Sequence, residues 1–96
     1  MVGVFVSLAY GDDFDRAKLT AIAEGARSMF ERMPGLRSKA FTIDDEARTA
    51  TNFYIWESRE AAEAFFTDDL VERVTGLYGV RPTIRFAEIA TLVDNA

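Results

Sequence analysis

Neither cysteine nor histidine occurs in these 96 residues. The first absence excludes disulfides, thiolate nucleophiles, iron–sulfur clusters and Cys-ligated zinc, so stability has to come from packing. The second removes the side chain that titrates near neutral pH and is the commonest metal ligand. With it go Ser-His-Asp and Cys-His chemistry, HExxH zinc sites and a His-ligated haem. An enzyme made from this chain works with carboxylates, Tyr, Arg, Lys or the bound substrate itself. Positive charge is also short: 11 basic against 16 acidic residues leave a formal charge of −5, which repels phosphate backbones and argues against nucleic acid as a partner. No apolar run approaches the about 18 residues of a membrane span, and Met1 to Gly11 has no basic n-region or small-residue cleavage site. No membrane association and a cytoplasmic location are therefore expected.

What the chain does have is apolar and aromatic bulk. Hydrophobic residues make up 49% of it, with eight Phe, three Tyr and one Trp, which is enough for one globular domain over residues 1–96 and not for two. Val2, Val4, Val6 and Leu8 alternate with Gly3, Phe5, Ser7 and Ala9, the mark of a central strand. From Phe14 to Met33 apolar residues recur at helical spacing, with Asp13 or Asp15 as the cap, and the Met33-Pro34-Gly35 step ends that helix. Leu36 to Ile43 and Thr49 to Glu57 read as the two strands of a hairpin around the polar loop Asp44 to Arg48. Ser58 caps a helix that breaks near Thr67 and resumes at about Asp68, running to Gly79. A last strand covers about Thr83 to Val93, with Pro82 at its edge. The order β-α-β-β-α-β is the α+β, ferredoxin-like arrangement: one antiparallel sheet with helices on one face only.

Strand side chains alternate between faces, so Phe53 and Ile55 fall on one side of the third strand and Asn52, Tyr54 and Trp56 on the other. Packing Phe53 and Ile55 against the helices leaves the Asn52, Tyr54 and Trp56 stripe on the uncovered face. An aromatic patch of that kind marks an association surface or a ligand cavity, and a second copy of the chain would cover it.

The Met33-Pro34-Gly35-Leu36 turn, Lys39-Ala40-Phe41, and Phe53-Tyr54-Ile55-Trp56-Glu57-Ser58 leading into Glu60-Ala61-Ala62-Glu63-Ala64-Phe65 resemble the dimeric α/β-barrel superfamily, in particular its antibiotic-biosynthesis-monooxygenase-like branch. The resemblance spans nearly the whole chain. It implies that two ferredoxin-like protomers pack their open sheet faces together, with a small-molecule cavity between each sheet and its helices or loops. Members of that superfamily include cofactor-independent oxygenases of aromatic polyketides or quinols, haem-degrading enzymes and lactone isomerases, so the fold does not settle the reaction. Some of the oxygenases use an Asn, a Trp and a further polar or aromatic residue, and Asn52 and Trp56 match those positions. The haem-degrading members rely on a His that is missing here.

On these grounds Asn52, Tyr54 and Trp56 are the candidate catalytic residues: an amide donor for a developing oxyanion, a hydroxyl to orient the substrate, and a flat apolar wall. Their structural alternative is interface packing. Lys39 and Phe41, on one face of the second strand together with Arg37, are candidates for substrate binding, as are Tyr78 at the end of the last helix and Arg85 on the last strand. A solvated edge, an ion pair or a core anchor would explain the same residues. Glu88 is expected to be structural. The acidic clusters Asp12-Asp13-Asp15, Asp44-Asp45-Glu46 and Asp68-Asp69 sit at turns and helix starts and match no EF-hand spacing, so no metal and no cofactor are expected. The expected function is a cofactor-independent monooxygenase acting on a small aromatic compound, a phenol, quinol or polyketide-like molecule, as a homodimer. The alternative is a non-enzymatic ligand-binding or regulatory module of the same fold. RNA binding ranks third, because the aromatic strand lacks the basic and glycine pattern of RNA-binding sheets.

Overall fold

Alternating valines, capped helices and one tight hairpin build the expected order. A computed structural model describes residues 1–95 and contains, in sequence, β1 (Val2–Ala9), a 3-10 turn (Gly11–Asp13), α1 (Arg16–Phe30), β2 (Leu36–Asp44), β3 (Thr49–Trp56), α2 (Arg59–Phe65), α3 (Asp68–Tyr78) and β4 (Thr83–Glu88). The sheet order is β2-β3-β1-β4, and every neighbouring pair is antiparallel. This is the ferredoxin-like α+β arrangement. No helix among the described residues is long and apolar enough to cross a membrane.

Each helix starts on a local cap. Asp15, Ser58 and Thr67 accept hydrogen bonds from the backbone N–H groups of Lys18, Ala61 and Leu70, satisfying donors that a helix start leaves unpaired. Thr67 both follows α2 and caps α3, so the helix layer is interrupted there. α1 stops at Phe30, three residues before the Met33-Pro34-Gly35 step, and Arg32 takes a left-handed φ of 62° in the connection. Gly35 has φ 81°, and a Cβ there would lie 2.9 Å from the Cβ of Ala61. The turn therefore admits only glycine without displacing α2.

The helices pack on the sheet face that carries Val2, Val4, Val6, Tyr54 and Trp56, which form one buried cluster with Ala62. A second cluster joins Leu8, Leu19, Ala50 and Tyr78. The expected assignment of faces on β3 is thus reversed. Asn52, Tyr54 and Trp56 point toward the helices, whereas Phe53, Ile55 and Phe5 lie on the uncovered side. Pairing decides this: Tyr54 stands opposite Val4 and Phe53 opposite Phe5, and opposed residues of an antiparallel pair share a face. Once the valines of β1 face the helices, Tyr54 and Trp56 must do so too.

β4 ends at Glu88 and not near Val93, because Glu88 pairs with Val2, the first residue of β1. Just past that point the Ile89 N–H donates to the Met1 carbonyl at 3.1 Å. Glu88 itself is exposed.

Candidate functional site

The break between α2 and α3 leaves a hollow. A cavity of about 350 Å³, within the size range of small-ligand sites, lies between the sheet and the helix layer. Its floor is Val6, Asn52, Tyr54 and Ile84 of the sheet, with Lys39 at the side. Met29 and Phe30 of α1 and the segment from Ala64 to Thr67, then Leu70, Val71, Arg73, Val74 and Tyr78 of α3, complete it. Most of these groups are apolar or aromatic.

Its polar end is a pair of side chains. Asn52 is the one buried polar residue of the core, 4% exposed, and its Nδ2 donates to the Tyr78 hydroxyl at 3.1 Å. Tyr78 is held in place by the end of α3, where Gly79 takes a left-handed φ of 82° and donates to the Thr75 carbonyl, and by Tyr10, whose hydroxyl donates to the Tyr78 carbonyl at 2.9 Å. The Asn52 amide oxygen, its second Nδ2 hydrogen and the Tyr78 hydroxyl hydrogen are left without a protein partner among the described residues. A ligand entering the cavity meets one acceptor and two donors there. Burial raises the pKa of Tyr78, against the opposing effect of the Asn52 hydrogen bond. Burial, with the nearby Tyr78 adding to it, raises that of Tyr54 and pushes Tyr10 up to about 12. All three hydroxyls are neutral donors at ordinary pH.

The opposite side is cationic or basic, depending on pH. Hairpin pairing sets Lys39 across from Tyr54 and Phe41 across from Asn52. A register shift between Leu36 and Ser38 takes Arg37 out of the pattern, so that Leu36 and Lys39, three residues apart, both face the helices while Arg37 is exposed. The Lys39 Nζ lies 3.3 Å from the ring centroid of Phe30, 4.1 Å from that of Phe41 and 4.3 Å from that of Tyr54. Among the described residues no carboxylate pairs with it. Burial lowers its pKa from 10.5 to about 7, an effect that the ring faces, which attract an ammonium, oppose.

The residues singled out in the sequence therefore separate into two groups. Asn52, Tyr54, Lys39 and Tyr78 meet at one cavity. Trp56 does not line it; 1% exposed, it stacks behind Tyr54 with ring centroids 6.1 Å apart and an interplanar angle of 13°. Its Nε1 is buried with no hydrogen-bond partner among the described residues. Phe41 lines shallower hollows beside Lys39 rather than the main cavity. Arg85 lies on the uncovered face, its guanidinium 4.6 Å from the Phe5 ring centroid, and cannot reach the cavity. Phe65, Phe66, Leu70, Val71 and Val74, which fall in the two helical stretches expected after Ser58, frame the void. The available signal was the interruption at Thr67. No group of three or more acidic side chains placed to hold a metal ion exists among the described residues.

By sequence the chain matches no protein-family model and no curated protein. Its fold, however, is found in solved structures. A Bordetella bronchiseptica protein assigned to the antibiotic biosynthesis monooxygenases is 18% identical with a TM-score of 0.70, over 94% of this chain and 97% of that one. The monooxygenase from the gene ActVA-Orf6 of Streptomyces coelicolor, solved with nanaomycin D, is 17% identical with a TM-score of 0.67, over 99% and 92%. SnoaB, a cofactor-independent oxygenase from Streptomyces nogalater, is 13% identical with a TM-score of 0.64, over 96% of both chains. The chain has the fold of the antibiotic-biosynthesis-monooxygenase-like proteins. At these identities the likeness concerns the fold alone.

Proposed function

We propose that this chain is a small cofactor-independent monooxygenase that oxidises a flat phenol, quinol or polyketide-like compound. The observation that carries the reading is an aromatic-walled cavity with one buried polar pair, Asn52 and Tyr78, which keeps one acceptor and two donors free for a ligand. A planar ring system fits the apolar walls, and its oxygen substituent meets the amide and the hydroxyl. Two solved structures of this fold are a monooxygenase holding nanaomycin D and a cofactor-independent oxygenase, which supports the same class of ligand.

The chemistry asks little of the protein. An enolisable ring loses a proton, and the resulting anion supplies the electrons that reduce molecular oxygen. One oxygen atom enters the ring as a carbonyl and the other leaves as water. A ring CH2 that becomes a carbonyl gives up four electrons, which balances the reduction of one oxygen molecule. The protein stabilises the anion through the second Nδ2 hydrogen of Asn52 and the Tyr78 hydroxyl, orients the ring against Tyr54, and keeps water out. Trp56 fixes the position of Tyr54 from behind and does not touch the substrate.

The test is protein-dependent oxygen uptake with 1,8-dihydroxyanthrone and related hydroxyanthrones, with a metal chelator present. One oxygen consumed per quinone formed is expected, and Asn52→Ala should lower kcat by roughly 10²–10³ while changing KM much less. Tight binding of these compounds without any oxygen uptake would instead make the chain a ligand-binding module.

We also propose that the functional unit is a homodimer. Phe5 and Phe53, with ring centroids 4.8 Å apart and both half-buried, form an apolar centre on the sheet face opposite the helices. A second copy supplies an identical face and closes both at once.

A further inference from the structure

Resting on that reading, we propose that Lys39 is the base that takes the proton from the bound phenol or enol and then stays beside the anion as its counter-cation. Lys39 lines the main cavity together with Asn52 and Tyr54, and Tyr54 stands directly opposite it across the hairpin. A ligand in this cavity therefore meets the amine as well as the Asn52–Tyr78 pair. Among the charged or titratable groups described here, Lys39 is the only aliphatic amine in the main cavity.

Its surroundings suit both protonation states. With no carboxylate partner, nothing compels the amine to be charged before substrate arrives, and burial favours the neutral form. After proton transfer the ammonium lies over the faces of Phe30, Phe41 and Tyr54, 3.3–4.3 Å from their centroids, where the ring quadrupoles stabilise it. The step balances as phenol plus amine giving phenolate plus ammonium. The O–H pair stays on the substrate oxygen, and the proton moves to Nζ.

Tyr54 faces the amine from β3, and Arg73 and Tyr78 share its cavity from α3. Arg27 and Glu31 at the end of α1, with Arg32 and Arg37, share a second hollow with it, and Glu24 a third. Arg27 and Glu31 pair with each other at 3.6 Å. The arginines cannot accept a proton.

The experiment uses a hydroxyanthraquinone whose phenolate absorbs to the red of its phenol, titrated into wild type, Lys39→Met and Lys39→Arg at about pH 8. That is about a unit above the Lys39 value of about 7. Wild type should bind the dye as the phenolate with almost no proton released to buffer, measured by calorimetry in two buffers of different ionisation heat. Lys39→Arg should also bind phenolate, but with about one proton released per dye, since a guanidinium holds an anion without taking its proton. Lys39→Met should bind the neutral phenol. Release of a full proton by wild type, or a red-shifted dye in Lys39→Met, overturns the role of Lys39 and leaves the proposed function standing. Absence of dye binding in folded wild type removes both. The chain has only two lysines, Lys18 and Lys39, so NMR of isotope-labelled lysine follows the amine directly. A Lys39 signal that stays in the ammonium form up to pH 9 without ligand also overturns the proposal.

Discussion

One sheet presents two different faces. On the side toward the helices, Val4 and Leu8 are fully buried, and Tyr54 and Trp56 are 4% and 1% exposed. Each of those two rings touches Phe65 and Phe66 of the α2 region. On the other side Phe5 and Phe53 pack mainly against each other and, through Phe5, against Arg85, and both remain half-buried. Hydrophobic content alone does not separate these faces. What separates them is the supply of partners: rings on the inner face interdigitate with rings from helices, whereas rings on the outer face have only strand neighbours. The inner face is itself divided. At the Trp56 end the helices fill the space, and at the Asn52 end the interruption at Thr67 leaves it open.

The largest expected effect tests the packed end against the outer face. Trp56→Ala removes a side chain that is fully enclosed and should cost about 3–5 kcal/mol of unfolding free energy. Phe53→Ala, measured in dilute solution, should cost about 1 kcal/mol, because only part of its ring is out of water. Urea titrations of the two variants decide this, and equal losses would mean that the two faces are equally packed.

A smaller effect concerns what the outer face is for. Phe53→Asp places a charge at the centre of the proposed dimer contact and should weaken self-association by roughly 2–3 kcal/mol, or about 30- to 150-fold in dissociation constant. Sedimentation equilibrium should move from the dimer mass toward the 10.7 kDa monomer, with the far-ultraviolet circular dichroism unchanged. A wild type that sediments as a monomer at micromolar concentration removes the dimer proposal.

The smallest effect belongs to the open end of the inner face, and its sign follows from proton binding. Lys39 has a folded pKa of about 7 against 10.5 for the free group, so between those values the unfolded chain holds more protons than the folded one. Stability should rise with pH across that window. Tyr10, pushed up from 10.0 to about 12, acts the other way: above about pH 10 the unfolded chain loses its phenolic proton first, and stability should fall. Tyr54 and Tyr78 shift in the same direction as Tyr10. Lys39→Met should flatten the rise and be relatively more stable than wild type at pH 7, by about 1–2 kcal/mol after allowing for the part of the amine that reaches water. Chemical denaturation at pH 7, 8.5 and 9.5 reads the slope, and a wild-type stability that does not rise over that range contradicts the lowered Lys39 value.

Much of the architecture is written locally. The β-α-β-β-α-β order rests on alternation in β1, on helical spacing in α1, and on Asp15, Ser58 and Thr67, each of which caps a helix within three residues of itself. The meeting of Lys39 with Tyr54 also follows from local information, since a short hairpin between Leu36 and Trp56 brings the two strands into register. Beyond that range the pattern is ambiguous. Period-2 alternation is unchanged when the two faces are exchanged, so nothing within Thr49 to Trp56 says whether Tyr54 or Phe53 meets the helices; the pairing with Val4 across β1 does. The irregularity that removes Arg37 from the series, the approach of Tyr78 to Asn52 across 26 residues of chain, the burial of Trp56 behind the site and the placement of Arg85 away from it are likewise long-range outcomes. Which elements form and which side chains each one carries follow from residue order, because propensity, capping and spacing act over a few residues. Which of those side chains share a cavity follows from long-range packing, because that depends on which sheet face the helices cover and where their layer is broken.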